Sequence, residues 1–161
     1  MSEKVLCELG EEDDIRFTIF RLPSVMGEQH LGGLIFTFFS LAKKNANIEI
    51  FNKGENYRNF LYIDDLISAL NVSMDMSQNK DIKQSETYLL GSLNSLKSIE
   101  IARLVVELMQ SNSEIIPIEK NILMDGNIIL DLTKSINRLG FKPNSIESGI
   151  TSFLRLHGYK I

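Results

Sequence analysis

Residues 54–66 have the sequence GENYRNFLYIDDL. A glycine that can make a turn comes first, then a mostly apolar run opened by Arg58, and then Asp64 and Asp65. The apolar run is predicted to be a short buried strand. One of the two aspartates is predicted to cap a helix that ends near Met76, because a carboxylate at the cap accepts hydrogen bonds from first-turn amides. A turn, a buried strand and a capped helix are therefore expected in direct succession.

On both sides of this stretch, the hydrophobic spacing predicts strands that alternate with helices. The predicted strand at 15–22 carries apolar residues on both faces, which is typical of a parallel sheet covered on both sides. The other predicted strands are residues 48–51, 87–90, 114–118 and 128–130. The predicted helices are residues 2–12, 31–44, 99–110, 133–139 and 146–157, with Ser98, Asp131 and Ser145 as caps and Gly140 as a left-handed end. This alternation predicts the α/β class.

The composition is that of an ordinary globular protein, and residues 1–161 are expected to form a single domain. Hydrophobic residues make up 43% of the chain, and 17 basic against 21 acidic residues give a net charge of −4. The acidic balance disfavours nucleic acid as a partner. The longest apolar stretch, residues 31–42, is shorter than the ~20 residues of a membrane span. One cysteine and the lack of an apolar signal region near Met1 predict a cytoplasmic protein.

Most motifs that carry chemistry are missing from the sequence. It contains neither a glycine-rich dinucleotide loop nor a Walker loop. His30 and His157 lack neighbours at metal-ligand spacing, so no metal site is predicted. Ser24 lacks the glycines of a nucleophile elbow, and Cys7 is expected to pack in the core. No catalytic residue is predicted.

The stretch at 54–66 resembles the G-x-x-x-R-D-F-V-Y-V-x-D segment of extended short-chain dehydrogenases/reductases, the family of NAD-dependent sugar-nucleotide epimerases and dehydratases. Three more stretches are similar to family segments and follow in the family's order. They are IFRLPSVMG at 19–27 (I-L-R-x-x-N-V-Y-G), YLLG at 88–91 with the helix after Ser98 (Y-N-V-G), and DLTK at 131–134 with LGFKP at 139–143 (D-x-S-K…L-G-W-x-P). Together these segments span about residues 15–150.

The resemblance implies the C-terminal part of such an enzyme: the last parallel Rossmann strands and a small α/β substrate-binding region, without the dinucleotide-binding half. The family's glycine-rich loop and its Tyr-x-x-x-Lys pair have no counterpart here, and Lys4 is not assigned as that lysine. NAD(P) is therefore implied for a full-length member, while no cofactor is expected on this chain alone. A natural truncation, a split subunit and an excised piece remain open.

The resemblance implies three substrate-binding residues, for a nucleotide-sugar. Arg58 corresponds to the family arginine that pairs with the diphosphate, since a guanidinium offers a fork of donors to phosphate oxygens. Phe51 lies where the family often places a residue against the base, and Ser24 replaces an asparagine that contacts substrate. The alternatives are an ion pair between Arg58 and Asp64 or Asp65, and core packing for Phe51.

Other polar residues receive structural interpretations. Asp65 and Asp131 are expected to be helix caps, and Arg21 is expected to form a buried ion pair. One stretch departs from the family: residues 124–127 read MDGN where many members have R-P-G-D, so a second arginine on the phosphate side is missing.

Two functions follow as alternatives. The first is the nucleotide-sugar-binding portion of an epimerase (an isomerase), a dehydratase (a lyase) or a reductase, not catalytically competent alone. The second is a non-catalytic interaction module that keeps the fold and pairs with itself, as a homo-oligomer, or with an N-terminal partner chain, because a strand separated from a larger sheet leaves an edge to cover. A fragment with no activity is a third reading. Neither nucleic acid nor membrane is an expected partner.

We predict that the chain alone does not bind NAD(H) stoichiometrically, because its sequence lacks the loop that holds the pyrophosphate at a helix N-terminus. Isothermal titration calorimetry checks this directly. A clear one-site isotherm would contradict the prediction.

Overall fold

A computed structural model of the chain describes residues 3–6, 8, 15, 17–77, 85–119 and 126–161. The strands are Thr18–Arg21 (β1), Ser24–Met26 (β2), Ile48–Ile50 (β3), Tyr57–Arg58 (β4), Phe60–Tyr62 (β5), Glu86–Leu89 (β6), Leu96–Lys97 (β7) and Ile115–Pro117 (β8). The helices are Gly33–Ala42 (α1), Ile63–Ser77 (α2), Ser98–Leu108 (α3), Thr133–Leu139 (α4) and Ile146–Leu156 (α5). Residues 3–6 and 8 are also helical, and the rest of the helix predicted at 2–12 lies outside the described residues. Within these ranges, no helix combines the length and apolar character needed to cross a membrane.

The strands pair in twos, and three of the four pairs are parallel. β1 lies beside β6, with Thr18 opposite Glu86 and Arg21 opposite Leu89. β2 pairs with β5 and β3 with β8, also in parallel, whereas β4 and β7 are antiparallel. The α/β class is therefore confirmed, and the strands predicted at 15–22 and 87–90 are neighbours.

β5 separates two hydrophobic clusters. Its side chains alternate, so Phe60 and Tyr62 face one cluster while the fully buried Leu61 faces the other. The first core contains Met26, Ile35, Phe38, Phe39, Ala42, Ile48, Ile50, Phe60, Tyr62, Ile101, Ala102, Val105, Met109, Ile146, Ile150, Phe153 and Leu154. The second core contains Leu61, Ala69, Tyr88, Leu90, Leu132, Leu139 and Phe141. The apolar run after Arg58 is thus covered on both faces, as its sequence predicts.

The turn before β4 is left-handed over three consecutive residues. Asn52, Lys53 and Gly54 have φ angles of 52°, 53° and 72°. A Cβ on Gly54 would lie 2.7 Å from the Ile99 Cβ, so only glycine fits between this turn and α3. The predicted turn at Gly54 is confirmed, and close helix packing is the physical reason for it.

Several predicted helix ends are confirmed. The Ser145 hydroxyl accepts a hydrogen bond from the Ser148 amide at 3.2 Å, and Asp131 accepts one from the Thr133 amide at 2.9 Å. Hydrogen bonding from the Thr133 side chain, together with this amide bond, lowers the pKa of the Asp131 carboxyl. Gly140 ends α4 with φ at 71°.

Two predicted caps are wrong. Helix α2 begins at Ile63, so neither aspartate precedes it. Asp65 is buried in its first turn, where its carboxylate accepts hydrogen bonds from the Asn144 amide at 3.0 Å and from Asn144 Nδ2 at 2.6 Å. Ser98 is the first residue of α3, and its hydroxyl donates to the Asn56 carbonyl instead of accepting from the helix.

The strand boundaries also differ from the predictions. Residues 128–130 do not form the predicted strand. The Ile128 amide donates to the Tyr57 carbonyl at 2.9 Å, and one backbone bond does not make a strand pair. The short strands β2 and β7 were not predicted, since two or three residues carry too little periodicity to reveal a strand.

Asn59, between β4 and β5, is the most connected buried polar residue of this region, with 2% of its surface exposed. Its Oδ1 accepts from the Ser92 amide at 2.9 Å, and its Nδ2 donates to the Ser92 and Asn94 carbonyls at 3.0 and 2.8 Å. A Cβ on Gly91 would come within 2.5 Å of Oδ1, which requires glycine there. Asn59 therefore fixes the loop after β6 against the start of β5.

We predict that Asn59→Asp destabilises the fold by about 2–4 kcal/mol, although the family segment has aspartate at this position. The substitution removes the bonds that Nδ2 donates to the Ser92 and Asn94 carbonyls and to Ser95 Oγ, and it places a buried carboxylate against the two carbonyl oxygens. Urea unfolding measures the loss. Asn71→Asp, the same change at an exposed position of α2, should stay within about 0.5 kcal/mol.

The pH dependence separates this mechanism from a general packing defect. A protonated carboxyl can donate, so the deficit of Asn59→Asp should shrink as the pH falls. A variant as stable as the wild type at neutral pH would contradict the role given to the Asn59 amide.

Candidate functional site

Arg58 lies on β4, which is bonded to β7 and to residues 126–128. It stands opposite Leu96 of β7, and its Nη1 donates to the Gly126 carbonyl at 3.0 Å. The backbone of Tyr57 is bonded to the same distant segment, since its amide donates to Asn127 Oδ1 at 2.9 Å and its carbonyl accepts from the Ile128 amide. β4 is thus held between β7 and residues 126–128.

The guanidinium of Arg58 is partly withdrawn from water. Burial lowers the pKa of Arg58, because desolvation disfavours the charged form. The ordinary pKa of arginine is so high that the group stays cationic at neutral pH. Asp65, one of the acidic partners considered for it, is engaged by Asn144. Arg58 is therefore a half-buried cation with carbonyl coordination, which is suited to an anionic ligand.

Ser24 opens β2 and is paired with Phe60 of β5. It is exposed, and it lines a small cavity together with His30, Phe60 and Phe153. Phe60 follows Arg58 by two residues, a separation of about 6.6 Å along an extended chain. Ser24 is therefore opposite a residue that follows Arg58 by two positions, while Arg58 itself belongs to the pair of β4 and β7.

Phe51 is positioned by a different sheet. It directly follows β3, which pairs with β8, and its side chain is 38% exposed. It belongs to neither hydrophobic core, so the core-packing alternative is wrong for this residue. Phe51 therefore lies at the start of the left-handed turn, outside both hydrophobic cores.

The remaining candidates have structural roles. Arg21 does not form a buried pair: it is exposed at the end of β1, where its Nε donates to Glu3 at 3.1 Å. His157 follows α5 and packs against Phe153, with ring centroids 4.3 Å apart. In the part of the chain that the structure describes, no cluster of three or more His, Cys, Asp or Glu side chains could hold a metal. Cys7 and residues 124–125 lie outside the described residues.

Sequence reasoning missed Asn59 and His30 as residues that shape the site. Asn59 fixes the junction between the strand of Arg58 and the strand of Phe60. Its signal was a polar residue inside an apolar run, next to the arginine. His30 lines the same cavity as Ser24. The sequence around it does not predict this, because the neighbours of a loop histidine do not show which cavity it lines.

Comparisons with known proteins show the family and the fold of the chain. The family model described as NAD dependent epimerase/dehydratase family matches residues 1–91. The chain is 24% identical to dTDP-4-dehydro-6-deoxyglucose reductase of Escherichia coli, over 96% of this chain and 49% of that protein. It is 30% identical to dTDP-glucose 4,6-dehydratase of Shigella flexneri, over 68% of this chain and 31% of that protein.

Among solved structures, UDP-glucose 4-epimerase of Thermotoga maritima with UDP-glucose superposes with a TM-score of 0.79 at 22% identity. The match covers 95% of this chain and 50% of that one. This likeness shows the fold, a partial Rossmann-like architecture. The chain spans about half or less of the length of the relatives it matches. On the family-model match, which includes β1, β5 and the strand of Arg58, the chain belongs to the NAD-dependent epimerase/dehydratase family.

Proposed function

We propose that this chain forms the nucleotide-sugar-binding part of a sugar-nucleotide epimerase, dehydratase or reductase. The observation that carries the proposal is the position of Arg58. It is a partly desolvated cation, and it lies two residues before Phe60, which lines the same small cavity as Ser24. Named relatives of the chain include a dTDP-4-dehydro-6-deoxyglucose reductase and a dTDP-glucose 4,6-dehydratase, which supports a sugar nucleotide as the ligand class.

Arg58 is proposed to bind the diphosphate. Its guanidinium donates to the Gly126 carbonyl through Nη1, which orients the plane of the group. A guanidinium is a fork of donors that matches phosphate oxygens, and the partial burial of Arg58 strengthens that attraction. Ser24 is proposed to contact the sugar side of the ligand, and Phe51 to stack on the nucleotide base.

The reaction itself would need residues that this sequence does not contain. NAD(P) supplies hydride transfer in the family to which the chain belongs. The residues present do not fit that cofactor, because the sequence has neither the glycine-rich loop nor a Tyr-x-x-x-Lys pair. We therefore assign binding and orientation of the substrate to this chain, in a cytoplasmic setting, and no chemical step.

UDP-glucose should raise the melting temperature of the wild-type chain. The expected rise is about 2–4 °C for each kcal/mol by which the bound ligand stabilises the folded state. Arg58→Ala should abolish most of this shift, because a charged hydrogen bond to phosphate contributes about 1.5–3 kcal/mol. Arg155→Ala removes an equal charge from an exposed arginine that bonds the Ile161 carbonyl, and it should keep the shift. An unchanged shift in Arg58→Ala would refute the role of Arg58.

The alternative function is an interaction module, and the outer face of α2 favours it. Ile67, Leu70 and Met74 recur at helical spacing and are 48%, 42% and 65% exposed. Exposed apolar residues in a row on one helix are typical of a surface that contacts another chain. A second copy or an N-terminal partner chain could cover it.

Self-association of this kind should appear in size-exclusion chromatography with light scattering. We expect the apparent mass to rise with concentration, and Met74→Lys to return the chain to a monomer by placing a charge in the contact. Ser68→Lys, which adds the same single charge at another exposed position of this helix, is the control. A monomer at every concentration would count against self-association.

A further inference from the structure

We draw no further inference here: the strongest candidate, the edge of β1 that faces away from β6, has no strand beside it among the described residues, and nothing in the structure shows what covers it.

Discussion

One buried amide holds the site together. Asn59 has its oxygen on the Ser92 amide and its nitrogen on the Ser92 and Asn94 carbonyls. Asn94 in turn donates to the Glu147 carboxylate and accepts from the Ile146 amide at the start of α5. Each such bond contributes only about 0.5–1.5 kcal/mol, but an unsatisfied buried partner costs about 1–3 kcal/mol. The strand of Arg58 and the last helix are therefore fixed relative to each other by two side chains, Asn59 and Asn94.

The hydrophobic packing depends on β5, the strand that begins directly after Asn59. β5 has three residues, and all of them are buried because a core lies on each face. Phe60 serves both the first core and the cavity wall. A substitution that loosens β5 therefore changes stability and cavity shape together, which links the fold to any ligand that the cavity holds.

The backbone holds two polar side chains near β4 and β2. Arg58 is a partly desolvated cation whose Nη1 donates to the Gly126 carbonyl, whereas His30 has its Nδ1 against the Val25 carbonyl and lines a cavity with aromatic walls. The chain spans about half or less of the length of its relatives, so ligand binding and catalysis are separate questions for it.

The sequence by itself determined the elements whose causes are local. The helix Thr133–Leu139, its left-handed end at Gly140 and the cap at Ser145 follow from residues within a few positions of one another. The buried strand β5 follows from the apolar run at residues 60–63. The left-handed turn at Gly54 is partly local, because the glycine is visible but its contact with Ile99 is not.

Only the tertiary structure decided the roles that depend on distant partners. Asp65 looks like a helix cap in the sequence, yet its carboxylate binds Asn144, 79 positions away. The Gly126 carbonyl that Arg58 binds is 68 positions away, and Asn59 reaches Ser92 across 33. A carboxylate, a guanidinium or an amide bonds to whatever polar group the fold brings within about 3 Å. Residue type and spacing give the capacity to bond, but the packing of the chain selects the partner.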